Sequence, residues 1–133
     1  MTGWKEMVVI VDEAYRQIGE TDRKNTTIYA ERNYGYAGAV HFYGRQYNLP
    51  DAITFLDSYV LWAPDTIPRG PVIYINHDIA GLCTFFEKIT EIGIVRNKYF
   101  REDGLKVFLC EQPNDKMTEA YKQKAREEKD RYR

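Results

Sequence analysis

The chain has 133 residues and a formal net charge of -1, from 19 Lys and Arg against 20 Asp and Glu, so one domain is expected and no general field draws it to nucleic acid or anionic lipid. A chain of this size buries about 68 % of its surface on folding, and 44 % hydrophobic residues with 9 Gly, 5 Pro and 2 Cys exclude collagen, disorder throughout and a small disulfide scaffold. The longest apolar run, Met7 to Val11, is far short of the roughly 20 residues a spanning helix requires, and no basic-then-apolar secretory leader opens the chain, so it is expected to be soluble.

Trp4, Met7, Val8, Val11, Tyr15 and Ile18 recur at helical spacing and predict an amphipathic helix over Trp4 to Ile18, ended by Gly19. The polar run Glu20 to Asn25 reads as a connection, and the β-branched and aromatic Thr26 to Ala30 as a strand. A second helical stripe, Tyr36, Ala39, Val40, Tyr43 and Tyr47, has Asn33 as its natural cap and closes at Asn48-Leu49-Pro50, because proline cannot continue a helix. Ala52 to Phe55 and Tyr59 to Trp62 read as extended pieces around the turn Leu56-Asp57-Ser58, and the Pro- and Gly-rich Ala63 to Pro71 as irregular surface. Val72 to Ile75 is apolar on both faces, as a central strand of a covered parallel sheet should be. Ile79 to Phe86 predicts a short helix, and Lys88 to Val95 and Leu105 to Cys110 two strands open to antiparallel pairing.

Strands alternating with helices imply right-handed β-α-β units and a three-layer α/β fold, a mainly parallel sheet covered by helices with room for an antiparallel edge strand. Residues 1–112 form the single α/β domain of this reading and 113–133 a charged helix or tail. From Asp115 onward 12 of 19 residues are charged, seven positive and five negative, so that segment is expected to be solvated and to fray. Cys83 and Cys110 have no Cys-x-x-Cys partner and no nearby His, and read as buried free thiols.

In open α/β sheets, ligands bind beyond the carboxyl ends of the parallel strands. Three predicted loops lie there, and they carry the candidate substrate-binding residues Glu31, Asn33, Tyr34, Gly35, Asp57, Ser58 and His77. A carboxylate, an amide, a hydroxyl and an imidazole on one edge could grip a sugar or move a proton. The same residues serve equally as helix caps and turn formers. Gly35-x-x-Gly38 is neither a dinucleotide fingerprint nor a P-loop, and it serves close helix packing as readily as a phosphate. No catalytic nucleophile motif is present. His41 and His77 lack a third ligand at metal spacing, so no metal and no cofactor are expected. Asn25-Thr26-Thr27 matches a glycosylation acceptor, a pattern common by chance.

One ordered set of motifs is more specific. Asn33-Tyr34-Gly35-Tyr36-Ala37-Gly38-Ala39 is followed by Phe42-Tyr43-Gly44, by Leu49-Pro50 and by Tyr59-Val60-Leu61-Trp62-Ala63-Pro64. Over about residues 3–112 the chain resembles the soluble C-terminal domain of bacterial membrane glycosyltransferases related to dolichyl-phosphate-mannose protein mannosyltransferases. Two positions depart from that pattern: Leu56-Asp57 stands where the family often carries His-Asn, and His41 where an acidic residue is common.

The resemblance implies a parent enzyme that transfers a sugar from a polyprenyl-phosphate carrier at the periplasmic face of the inner membrane. Its acidic catalytic residues would lie in membrane-part loops outside this chain, so the domain alone is not expected to catalyse the transfer. The implied partners are the membrane-embedded region of the parent polypeptide and a lipid-linked sugar or glycan acceptor, with no nucleic acid. The alternative is a free-standing α/β enzyme, or a nucleotide- or sugar-binding domain, using the strand-end cluster.

Overall fold

The structure, a computed structural model, describes residues 2–31, 34–55 and 61–132. Helix α1 (Gly3–Gln17) opens on Thr2, whose hydroxyl accepts the Lys5 amide at 3.2 Å, and stops where Ile18 turns extended. The predicted connection after it contains a one-turn helix, α2 (Glu20–Arg23), and then comes strand β1 (Thr27–Ala30). Helix α3 (Tyr34–Tyr43) tightens into a 3₁₀ turn over Gly44–Tyr47 and ends at Asn48, which is left-handed at φ 58°. Its predicted cap, Asn33, lies outside the described residues.

Strands β2 (Ala52–Ile53) and β3 (Val72–Asn76) follow, then a 3₁₀ segment over Ala80–Phe85 where the sequence predicts a short helix. Strands β4 (Phe86–Ile94) and β5 (Lys106–Pro113) and helix α4 (Met117–Tyr132) complete the chain.

The fold is α/β, with one mixed five-stranded sheet in the order β2-β1-β3-β5-β4. β1 pairs parallel with β2 and β3, while β5 runs antiparallel to both β3 and β4. The reversed strand is therefore one in from the edge. All five residues of β3 are buried, as its continuous apolar run predicts.

Strand alternation divides the core in two. Ile28 and Ala30 of β1, Ile73 and Ile75 of β3, and Val107 and Leu109 of β5 face α1 and α3, meeting Met7, Val8, Val11, Tyr36 and Val40. Val72, Tyr74, Phe108 and Cys110 belong to the opposite face, where they meet Phe55, Ile67, Met117, Tyr121 and Ala125. Gly93, beside a bulge in β4, lets α1 approach: a Cβ there would sit 2.8 Å from Ile10.

Four expectations change. The charged C-terminal segment is a helix whose Met117, Tyr121 and Ala125, spaced four apart, are buried against the sheet. Ala63 to Pro71 is irregular, but it is only partly surface, because Ala63 and Ile67 enter the same core. Leu61 and Trp62, the described part of the predicted strand Tyr59 to Trp62, lie in a turn, paired with no strand of the described residues. Both cysteines are free, but only Cys110 is buried; Cys83 lies exposed in the 3₁₀ segment. Among the described residues no helix is long and apolar enough to cross a membrane.

Candidate functional site

Of the seven candidate residues, Asn33, Asp57 and Ser58 lie outside the described residues, and Tyr34 stands at the start of α3. Gly35 follows Tyr34 in the first turn of that helix. Glu31 and His77 both follow strand ends, yet the sheet sends them to opposite faces. β1 and β3 pair Ala30 with Ile75, so the next position in register with Glu31 is Asn76, and His77 lies one residue further on. A single residue reverses the face of a strand.

His77 accordingly joins the α1 and α3 side. Its Nε2 lies 2.9 Å from Glu102 Oε2, which also accepts the Tyr36 hydroxyl at 3.1 Å. Glu31 turns to the α4 side, where Tyr74 donates its hydroxyl to Glu31 Oε2 at 3.2 Å and Lys124 Nζ stands 3.5 Å from Oε1.

Glu31 there lines a cleft of about 480 Å³ between the sheet and α4. Thr27, Tyr29 and Glu31 form one side of its floor and Val72, Tyr74 and Asn76 the other, which is the period-2 face of two neighbouring strands. Met117, Ala120, Tyr121 and Lys124 roof it from α4, and Leu82 and Phe85 wall it from the 3₁₀ segment. Buried Asn76 donates its Nδ2 to the Tyr74 hydroxyl at 3.2 Å and to the Asp78 carbonyl at 2.9 Å, which locks the amide. The rings of Tyr29 and Tyr74 stack with centroids 5.9 Å apart, and the Lys124 ammonium lies 5.5 Å from the Tyr29 centroid, within cation–π range. A smaller recess of about 110 Å³ shares Tyr29, Glu31 and Lys124 with the cleft and extends toward Thr54 and Phe55.

Burial first, and then the Glu31 carboxylate, push the Tyr29 phenol well above its usual range; burial first, and then Asp65, do the same to Tyr121. Both stay neutral hydroxyls near pH 7. Tyr121 donates its proton to the Pro64 carbonyl at 2.7 Å, tying α4 to the loop before β3. These two phenols thus titrate far above neutral pH, which suits hydrogen bonding and packing better than proton transfer. Among the described residues no group of three His, Cys, Asp or Glu could hold a metal ion.

Reading the sequence as loops beyond strands passes over Tyr29, Tyr74 and Lys124. The signal for the two tyrosines is their place within strands: each lies one position from the apolar residues that face α1, so both must face the other way. Lys124 carries no such signal in a segment so dense in charge.

The chain matches no family model, and no curated protein and no solved structure matches it.

Proposed function

We propose that this chain is an extracytoplasmic accessory domain of a polyprenyl-phosphate-sugar-dependent membrane glycosyltransferase, not catalytic on its own. In this reading it docks on the membrane-embedded region of its own polypeptide, at the periplasmic face of the bacterial inner membrane, and helps shape the acceptor side. The observation that carries the reading is the ordered run of motifs from Asn33 to Pro64.

The form of the last motif fits such docking. Trp62 is 84 % exposed and Leu61 53 %, whereas the adjoining Ala63 is buried and the Pro64 carbonyl is held by Tyr121. A large aromatic ring held in water next to a fixed backbone is pre-positioned to cover a partner.

The test has two arms. The reading frame that encodes this chain should continue upstream into many apolar segments. The purified chain, mixed with a polyprenyl-phosphate sugar and acceptor, should give no transfer above a no-protein control. Turnover by the chain alone, or a reading frame without membrane segments, overturns the reading.

A further inference from the structure

We propose that the cleft between β1, β3 and α4 binds an uncharged amphiphile, a small molecule with an apolar body and a hydroxyl-bearing head. The cleft's volume of about 480 Å³ falls in the range of small-molecule sites. From Thr27 to Glu31 it follows the strand for about 13 Å at 3.3 Å per residue, and α4 lies along it from Met117, near Phe86, to Lys124, over Glu31.

Its two ends differ in chemistry. Val72, Phe86, Ile67 and Met117 make one end apolar. At the other end Glu31, Tyr74, Asn76 and Lys124 bring together a carboxylate, a phenol, an amide and an ammonium. The carboxylate and the ammonium are adjacent and of opposite sign, so the formal charges of the described residues that line the cleft cancel, while Glu128 of the adjoining recess is paired with Arg131. An anionic head attracted to Lys124 would have to sit beside Glu31, and a cationic head would meet the reverse conflict. A hydroxyl meets neither, because it donates to a carboxylate and accepts from an ammonium at once. A carboxylate has room for about four hydrogen bonds and an ammonium donates three, which exceeds the contacts that Glu31 and Lys124 make among the described residues.

Two small residues keep the mouth open. Ala120 presents only a methyl group from α4, and a Cβ added at Gly81 on the facing segment would meet nothing within 4 Å. Neither is required by the backbone, since Ala120 is helical and Gly81 is not among the glycines at positive φ.

The experiment uses the full chain and n-hexyl β-D-glucoside, followed by NMR chemical-shift perturbation, with glucose and n-hexyl phosphate as comparison probes. The glucoside is expected to bind saturably, with shifts at Tyr29, Tyr74, Asn76 and Lys124, and both comparison probes at least about tenfold more weakly, the factor that about 1.4 kcal/mol supplies. Glu31→Gln should weaken the glucoside about tenfold by replacing a charge-assisted acceptor. Ala120→Phe should fill the cleft and abolish binding; if that variant does not fold, Gly81→Leu closes the mouth from the other side. The proposal is overturned if the glucoside gives no saturable shifts, if the shifts lie elsewhere, if hexyl phosphate binds as tightly, or if a folded filled-cleft variant binds as the parent does. Because the titration needs no membrane partner, its failure would leave the docking reading standing, and its success would not establish that reading.

Discussion

Asn48 holds the left-handed conformation, φ 58°, that ends the turn after α3, and its amide donates to the Arg45 carbonyl at 3.2 Å. Asparagine tolerates this region where alanine pays about 1–2 kcal/mol, and glycine enters it freely. Asn48→Ala should therefore lower the unfolding free energy by about 1 kcal/mol and Asn48→Gly leave it nearly unchanged, as read from urea midpoints at constant slope. The stop at Asn48-Leu49-Pro50 is legible in the sequence because it rests on local chemistry.

The buried acids make a second residue-scale prediction. Burial, with Glu111 second, pushes the Cys110 thiol from its usual 9.0 up to about 12, and the phenols of Tyr29 and Tyr121 also rise from their usual 10.0. In the folded chain these groups keep protons that the unfolded chain releases, so their contribution is complete below about pH 9 and is lost as pH climbs toward the folded values. Urea midpoints should fall steadily above about pH 9, and in Cys110→Ala the fall should begin nearer pH 10, where the phenols take over.

At the scale of elements, α4 departs furthest from its sequence signal. Met117, Tyr121 and Ala125 recur at helical spacing, but a stripe that narrow is outweighed by the charges around it and reads as solvated. Yet all three fall on one line of the helix and each is buried. Polar contacts at both ends reinforce the docking: Lys124 reaches Glu31, Lys129 lies 2.7 Å from Asp65, and Arg69 lies 2.8 Å from Asp115. The exposed pairs contribute little singly, so the apolar stripe should dominate. Tyr121→Ala should cost about 3 kcal/mol, and Tyr121→Phe about 1 kcal/mol for the bond to the Pro64 carbonyl. Equal midpoints for Tyr121→Ala and the parent would mean that α4 does not add to the core. By contrast α1, with a broad stripe, and β3, apolar throughout, are readable almost residue for residue.

For the whole molecule, the alternation of strands and helices makes the layered sheet legible, but register decides the site. The expected strand-end cluster places Glu31 and His77 together, whereas pairing Ala30 with Ile75 puts Asn76 beside Glu31 and sends His77 across the sheet to Glu102. No local signal carries that one-residue offset, because it depends on how two distant segments align. β3 is also the strand with the most complete pairing, hydrogen-bonded to β1 on one side and β5 on the other and buried throughout. Its amides, Ile73 to Ile75, should be the last to exchange with deuterium and those of β2 among the first, as native-state exchange would show.

The two rims of the sheet carry a consequence for behaviour at high concentration. An unpaired strand edge can recruit the same edge of a neighbouring molecule, a step toward fibrils. Here β2 offers only two residues, and β4 is broken by its bulge and presents exposed Glu87, Lys88 and Glu91 to water. Replacing those three charges with threonine would leave a nine-residue, uncharged edge interrupted only by the bulge. Concentrated solutions of that variant should scatter light and bind thioflavin while the parent stays clear.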